Sequence, residues 1–436
     1  MTLSMTNTMN ERLKVLVVAA AAHPEKGSEP GLGWGWVEAL SKYHDLCVIT
    51  GEREGNREAI EKRFDQVPGL RERLKVHFIP RPDGPRIERI IPLLYYRRYR
   101  KWHQSANHLA VDLDRNVHFD LVHQLNMTGY REPGYLWKIG HPFVWGPVGG
   151  TANVPLRFAA ILGPREFLYH LIKVAVNNLQ LRFHKRVHKA LRRTDAFVTS
   201  TSDTQFVFRR VLRKESTVIN DNGPPLVNEY NIIQQAQTNN YLSDGPIRLS
   251  WSGLHISRKA LPIILRALSN FNNSDFLWHL DIIGAGPMTR KWRQLSIELG
   301  VNDRCTWHGW VTKETSVRII ANSDIFIFPS LHESTPAVIF EALSYGVPVI
   351  CIDHCGQSDV ITEECGIKIP VMSCQQVITG FAQAIKHLAI YPQERKRLAR
   401  GALNRVRKFS WDRKAKAMLE VYETAIQHWE QRTSNE

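Results

Sequence analysis

Two carboxylates, Glu333 and Glu341, stand eight positions apart in FPSLHESTPAVIFEALSYGVPVI (residues 328–350), a stretch otherwise mostly apolar or small. A carboxylate repels a phosphate but accepts hydrogen bonds from the hydroxyls of a sugar or ribose. Ser334 and Thr335 stand between the two acids, at the start of a short helical pattern. The free N–H groups of a helix's first turn attract phosphate. The stretch therefore reads as a site for a ligand carrying both phosphate and sugar, against the alternative of a surface helix with solvated glutamates.

The elements that would position these groups are legible around them. DIFIFPS (324–330) and VPVICID (347–353) are short apolar runs of the kind that buried parallel strands show. Between them Thr335 is a plausible N-cap, Pro336 suits the first helical position, and Gly346 fits the C-terminal stop. Glu333 then lies in the loop at a strand's carboxyl end. Glu341 lies about two turns into the helix, its side chain tilted back toward the N-terminus. Both can face the crevice in which open α/β sheets bind ligands.

Other segments repeat the strand, turn, helix grammar. SGLHISRKALPIILRAL (252–268) offers Gly253 for close backbone approach, with Arg258 and Lys259 to neutralise a diphosphate. GLGWGW (31–36) places Gly31, Gly33 and Gly35 in a predicted glycine loop before a helix, where Gly33 can bring backbone to a phosphate or sugar. It is no dinucleotide fingerprint: HPEKGSEP separates it from its strand, and the second strand reaches Thr50 and Gly51 before any acid. His123, near the end of FDLVHQLN (119–126), is a candidate at the same crevice level, or a satisfied structural histidine. Asp112 and Asp114 form a DxD that could hold a divalent cation but read better as solvated turn residues. His184 and His188 have helical spacing without the glutamate of a zinc protease.

With 436 residues the chain is long for a single core, and two domains of roughly 200 residues are expected. Strand candidates at 14–21, 45–50, 76–80, 119–126, 141–147 and 195–200, then 247–253, 280–286, 305–310, 324–330 and 347–353, alternate with helical patterns. That is two doubly wound α/β domains in tandem. Residues 222–246, rich in Pro, Asn and Gln, read as the linker, and 409–431 as a final helix with no strand to return to. The run LKVLVVAAAA (13–22) resembles the apolar core of a signal peptide but is read as the first buried strand. A hydrophobic content of 43% and a mean hydropathy of -0.29 describe a soluble globular chain. No apolar run reaches the 18 or more residues of a spanning helix. Six scattered cysteines lack the pairing of a zinc or disulfide framework and suggest a reducing, cytoplasmic setting; Cys351 and Cys355 could form a redox pair.

The net charge of +15 calls for an acidic partner. It clusters in RIERIIPLLYYRRYRKWH (86–103) and in 166–193, where Lys173, Arg182, Lys185, Arg186, Lys189, Arg192 and Arg193 stand beside Leu168, Leu171, Ile172, Val174 and Phe183. Cations beside apolar residues suit a helix lying on an anionic membrane, or simply a solvated helix face. Nothing resembling a helix-turn-helix, RRM or zinc finger accompanies them, so no nucleic-acid partner is expected.

Taken together these motifs resemble the family-4 glycosyltransferases of the GT-B fold, over nearly the whole chain. Glu333, seven residues, Glu341, then Ala342 and GVPVI is similar to the family's E-x7-E signature; SGLHISRKAL, EPGLGWGW and WGPVGG (145–150) resemble its other motifs. The resemblance implies two Rossmann-like doubly wound domains facing a central cleft: an acceptor domain (1–222), a nucleotide-sugar domain (223–408) and a helix (409–436) crossing back. It implies a retaining, metal-independent transfer from a UDP- or GDP-sugar to a saccharide or lipid-linked acceptor. Glu341 would hold the ribose, Glu333 would lie by the donor sugar, and Ser334, Thr335, Gly253 and Lys259 would surround the diphosphate. Leu254 stands where the family usually has arginine and Ala260 where it has glycine, leaving Arg258 or His255 to supply the missing cation. The family's histidine is matched by His123 two residues early. The expected setting is cytoplasmic, peripheral on anionic membrane, in exopolysaccharide, lipopolysaccharide or glycolipid assembly. Another GT-B enzyme, such as an epimerase or phosphorylase, is the alternative, and a non-enzymatic nucleic-acid binder a remote one.

Overall fold

The computed structural model describes residues 12–81, 84, 92–126, 128–158, 163–225, 245–272 and 276–435. Parts of two expected segments, 86–91 of the first basic cluster and 226–244 of the linker, lie outside them. Seven parallel strands form the first sheet: β1 (Lys14–Ala19), β2 (Asp45–Glu52), β3 (Leu74–Pro80), β4 (Leu121–Asn126), β5 (Phe143–Val148), β6 (Ala196–Thr199) and β7 (Thr217–Val218). Their order is β3-β2-β1-β4-β5-β6-β7. Six more, β8 (Ile247–Ser252), β9 (Trp278–Ile283), β10 (Cys305–Gly309), β11 (Ile325–Phe328), β12 (Val349–Asp353) and β13 (Gly366–Pro370), form the second sheet in the order β10-β9-β8-β11-β12-β13. The short β7 and β13 carry too little apolar sequence to stand out.

Helices cover both faces of each sheet, so the strands are apolar on both sides rather than alternating. In β1, Val15, Val17 and Ala19 pack on helices Ser28–Leu40 and Trp411–Thr433, while Leu16 and Val18 face Tyr99, Trp102 and Ala106 of helix Pro92–Val117. In β11, Ile325 and Ile327 join the core under helices Leu261–Ser269 and Cys374–Ile390, and Phe326 and Phe328 join the one under helix Ala337–Ser344.

In each sheet the strand order reverses between the first and fourth strands, β1 and β4 or β8 and β11. This switch point is where doubly wound sheets bind ligands, outside the strands' carboxyl ends. Helix Trp411–Thr433 leaves the second domain and docks on the first: Lys414 Nζ donates to the Asn220 carbonyl at 2.6 Å, and Arg432 pairs with Asp195 at 3.0 Å.

The predicted glycine loop is corrected. Gly31, Gly33 and Gly35 lie inside helix Ser28–Leu40, and they are glycines because that helix is packed at contact distance. A Cβ at Gly33 would collide with the Ala21 carbonyl, and one at Gly35 with the Trp411 ring.

Candidate functional site

The turn after β8 and the turn after β11 meet at the second sheet's switch point. Lys259 Nζ lies 2.7 Å and Arg258 Nη1 2.6 Å from Glu333 Oε1, and Ser330 Oγ donates to the same oxygen at 2.6 Å. Arg258 Nη1 also donates to the His332 carbonyl at 2.6 Å, which ties one turn to the other. The Lys259 and Glu333 side chains are each only 12% exposed. Burial by itself would push the Glu333 carboxyl up; Lys259 and Arg258, with the hydrogen bonds from Lys259 and Ser330, more than offset it and hold the pKa below the ordinary value. Burial lowers the Lys259 ammonium, and the Glu333 carboxylate opposes that. The Lys259 Cδ stem passes beside Gly253, where an added Cβ would stand 3.5 Å from it. Two cations and one carboxylate are thus gathered at a cleft.

Ala260 ends this turn with φ +50, a left-handed conformation that favours glycine, which explains why the resembling motif carries glycine there. His255 is elsewhere. It is buried against Trp251, Trp292 and Trp307 with Nδ1 2.8 Å from Thr289 Oγ1, and burial lowers its pKa to about 4. Arg258, not His255, is the second cation beside Lys259.

The helix after Glu333 runs Ala337–Ser344 with Pro336 as N-cap, so Thr335 does not cap it; the proline's extended backbone moves the start by one turn position. Its other end is as expected: Gly346, at φ +68, donates to the Leu343 carbonyl and Val347 to that of Ala342, closing a Schellman motif. Glu341 faces Lys313, and a pocket runs from it past Leu254, Gly284 and Trp310 to Lys26, Gly27 and Ser28 of the first domain. Burial raises the Glu341 carboxyl, with Lys313 opposing. Trp310, 73% exposed at the rim of this pocket, was not singled out in the sequence, where a tryptophan after a strand looks like core.

Ser334 reaches across the cleft, donating to Asp221 Oδ2 at 2.9 Å and lying 3.0 Å from Ser200 Oγ. Asn222 donates to the Thr335 carbonyl at 3.3 Å. The cavity over the cation cluster is closed from the first domain by Ser28, Glu29, Tyr96, Thr128 and Asp221. Glu29 Oε1 and Asp221 Oδ1 are shut off from solvent with no hydrogen-bond partner among the described residues, and burial raises both carboxyls. Neither was legible: Glu29 hides in the SEPG that opens a helix, and Asp221 in a polar junction.

His123 and Gly33 are not brought to the cleft. Gly33 packs under its helix, and His123 lies fully buried in β4, with Nδ1 2.8 Å from Tyr422 Oη and Nε2 2.7 Å from the Gly146 carbonyl. That carbonyl can only accept, so Nε2 carries the proton and Nδ1 accepts from the tyrosine. Burial lowers this pKa to about 4, giving a neutral structural imidazole instead of a catalytic one. Asp114 accepts from Phe119 N–H and pairs with His141, while Asp112 pairs with Arg115. His184 caps helix Lys185–Arg193. Burial pushes the Cys355 thiol up to about 12 and the Cys351 thiol higher, so with no metal bound both are protonated thiols and not a redox-active pair.

Residues 246–389 match the model of a family described as "Glycosyl transferases group 1". Over 175 residues the chain is 30% identical to the lipopolysaccharide core biosynthesis glycosyltransferase LpsD of Rhizobium meliloti, covering 40% of this chain and 48% of that protein. The chain thus spans about half the length, or less, of the first curated relatives it matches. Among solved structures, sucrose-phosphate synthase of Thermosynechococcus elongatus superposes with a TM-score of 0.61 at 17% identity, covering 94% of this chain and 98% of that one. Anabaena HepE, in complex with UDP, gives 0.58 at 15% identity over 94% of this chain and all of that one. The molecule has a two-domain GT-B fold, and residues 246–389 of its second domain, the Glu333 and Lys259 cluster among them, match the model of the group 1 glycosyl transferases.

Proposed function

We propose that this protein is a retaining family-4 glycosyltransferase that moves a sugar from a UDP- or GDP-sugar to a saccharide or lipid-linked acceptor, in exopolysaccharide, lipopolysaccharide or glycolipid assembly. The observation that carries this reading is the pairing of Lys259 and Arg258 with Glu333 at the switch point of the second sheet. As the glycosidic bond breaks, the sugar becomes oxocarbenium-like and negative charge develops on the departing diphosphate. Lys259, Arg258 and the amides at Ser334 and Thr335 meet that charge, and a bound diphosphate takes over the cations that Glu333 now holds. Glu333, released on one side, is left beside the donor sugar. Glu341 accepts the ribose hydroxyls, and Trp310 at the rim covers the base. The charge is met by side chains, so the transfer itself asks for no metal.

On the other wall, Glu29 and Asp221 line the cavity opposite the cation cluster, where a carboxyl can orient an acceptor hydroxyl. LpsD is named for lipopolysaccharide core biosynthesis and HepE was solved with UDP, which supports a nucleotide-sugar donor and a surface-glycan acceptor here. The test is thermal stability against UDP, GDP and ADP, for the wild type and Glu341→Ala. A nucleotide at about a hundred times its Kd stabilises by about 2.7 kcal/mol. One nucleotide should shift the wild type and not the variant. A shift by none of them would remove the reading.

A further inference from the structure

Away from the cation cluster, Asp203, His354 and Cys355 bring one oxygen, one nitrogen and one sulfur within 4.8 Å of one another. They come from different domains: Asp203 from the first turn of helix Ser202–Leu212, His354 and Cys355 from the N-cap and first residue of the short helix Cys355–Val360 after β12. The imidazole is oriented by a third residue. His354 Nε2 lies 3.1 Å from the Asn153 carbonyl, an obligate acceptor, so Nε2 bears the proton and Nδ1 is left bare. Bare Nδ1 faces Asp203 Oδ2 at 3.9 Å, too far for a hydrogen bond. The carboxylate is fixed in turn, since the Cys355 N–H donates to the same Oδ2 at 3.0 Å. A histidine whose far N–H is held by a carbonyl, with its near nitrogen pointing at a second ligand, is the outer-shell arrangement of a metal-binding imidazole.

Cys355 also sits at φ +58, where glycine is the default residue. A side chain kept in that conformation asks for a reason, and the position puts a thiol beside the histidine and the carboxylate. Ligands bonded to a tetrahedral ion at about 2.0–2.1 Å lie about 3.4 Å apart, so the 3.9 Å gap between Nδ1 and Oδ2 closes by about half an ångström, and the sulfur, within 4.8 Å of both, by up to about 1.2 Å.

We propose that Asp203, His354 and Cys355 bind a thiolate-accepting divalent cation of the Zn2+ class, with water in the fourth position, and that this ion staples the two domains together. Carboxylate, imidazole and thiolate together select such a cation over Mg2+ or Ca2+. Binding exchanges the thiol proton for the metal: one S–H bond breaks, one S–metal bond forms, and one proton goes to solvent, with no change of oxidation state. On the function proposed above, in which Lys259 and Arg258 meet the diphosphate, the ion takes no part in sugar transfer. It bears on it indirectly, because Gly356, next to Cys355, packs against the Ser334 carbonyl so closely that no side chain fits. Restraining the turn after β12 therefore restrains the loop proposed to hold the diphosphate. The staple adds to existing cross-domain contacts, in which Ser202 N–H donates to Asp359 at 2.8 Å.

The test uses the full chain stripped of metal and titrated with Co2+ as a spectroscopic probe. One equivalent should produce sulfur-to-cobalt charge-transfer absorption in the near ultraviolet, abolished by competing Zn2+. Cys355→Gly suits the left-handed backbone and should fold as well as the wild type, without the band. Asp203→Asn should weaken Co2+ binding at least tenfold. In small-angle scattering, Zn2+ should hold the wild type, but not Asp203→Asn, at its most compact radius of gyration. No charge-transfer band in the wild type, or the same band in Cys355→Gly, would overturn the site. A band with a radius of gyration that Zn2+ leaves unchanged would overturn the staple.

Discussion

Lys259 carries the heaviest demand of any single residue, because its ammonium sits between a buried carboxylate and the Phe328 ring. Replacing it with alanine removes one charge aimed at the departing diphosphate. By analogy with loss of one preorganised donor, kcat should fall by about 10²-fold or more. Donor binding should weaken as well, since the same charge meets the ground-state diphosphate. Steady-state sugar transfer on Lys259→Ala checks this, and a kcat within a few-fold of wild type would take Lys259 out of the chemistry. Glu29 works on the opposite wall. Glu29→Gln keeps the shape and removes the charge, so kcat/KM for the acceptor should drop about tenfold while the nucleotide-induced melting shift stays as in the wild type. If both parameters move together, Glu29 acts through the fold rather than on the acceptor. Glu333 and Glu341 were legible as one pair and Arg258 and Lys259 as another, because each pair shares one turn or helix, but that the two turns meet across 75 positions was not. Glu29 and Asp221 were not, because their neighbours across the cleft lie far off in sequence.

At the level of elements, the last helix shows how a residue's role can be set by a partner 299 positions away. His123 is one of six consecutive buried residues of β4, so periodicity cannot say which face it takes, and its spacing suggested the cleft. Tyr422 and the Gly146 carbonyl instead consume both ring nitrogens, and the imidazole becomes the joint between β4, β5 and the crossing helix. Being neutral in the fold has a cost in acid. The folded pKa of about 4 lies below the unfolded value of about 6.5, so the unfolded chain takes up the proton first. His123's contribution is whole above pH 6.5 and is lost as pH falls toward 4, by up to about 3 kcal/mol. His44, tilted against the same Tyr422 ring and also lowered to about 4 by burial, adds in the same direction. Urea unfolding followed from pH 7.5 to 4.5 should show stability falling below pH 6.5. Tyr422→Phe, which strands Nδ1, should cost about 1–3 kcal/mol at pH 7.5. A flat profile would mean that His123 is not held neutral. The strands and helices themselves were readable almost throughout, because helices on both faces force near-continuous apolar runs. The glycine-rich segment misled for a physical reason: glycines that let a helix touch its neighbours look the same in sequence as glycines that make a loop.

For the whole molecule the unspent feature is helix Pro164–Phe183. Leu168, Leu171, Ile172, Val176, Leu179 and Phe183 recur at helical spacing and are all exposed, Ile172 to 56% and Phe183 to 71%. So long an apolar stripe on a charged protein marks an interaction surface. Its surroundings favour anionic lipid: from 167 to 194 the sequence has no Asp or Glu, and Arg182, Lys185, Lys189, Arg192 and Arg193 stand at the stripe's C-terminal end and beyond it. Each cation near an anionic surface contributes about 1 kcal/mol, and the apolar side chains add to that where they enter the interface. Among the described residues no helix is long and apolar enough to cross a membrane. The helix is also placed for use. Glu166 in its first turn accepts from Ser257 at 3.0 Å, one residue before Arg258, so a bilayer lying on the stripe would sit at the mouth of the cleft, where a lipid-linked acceptor could enter without leaving the membrane. Vesicles containing phosphatidylglycerol should sediment the wild type, and high salt should weaken the binding. The double variant Ile172→Glu, Phe183→Glu should lose most of it while melting at the wild-type temperature, because both side chains point into solvent in the fold. Equal binding to zwitterionic vesicles, or a double variant that binds as well as the wild type, would leave the stripe without a lipid partner and return the acceptor to the soluble saccharides.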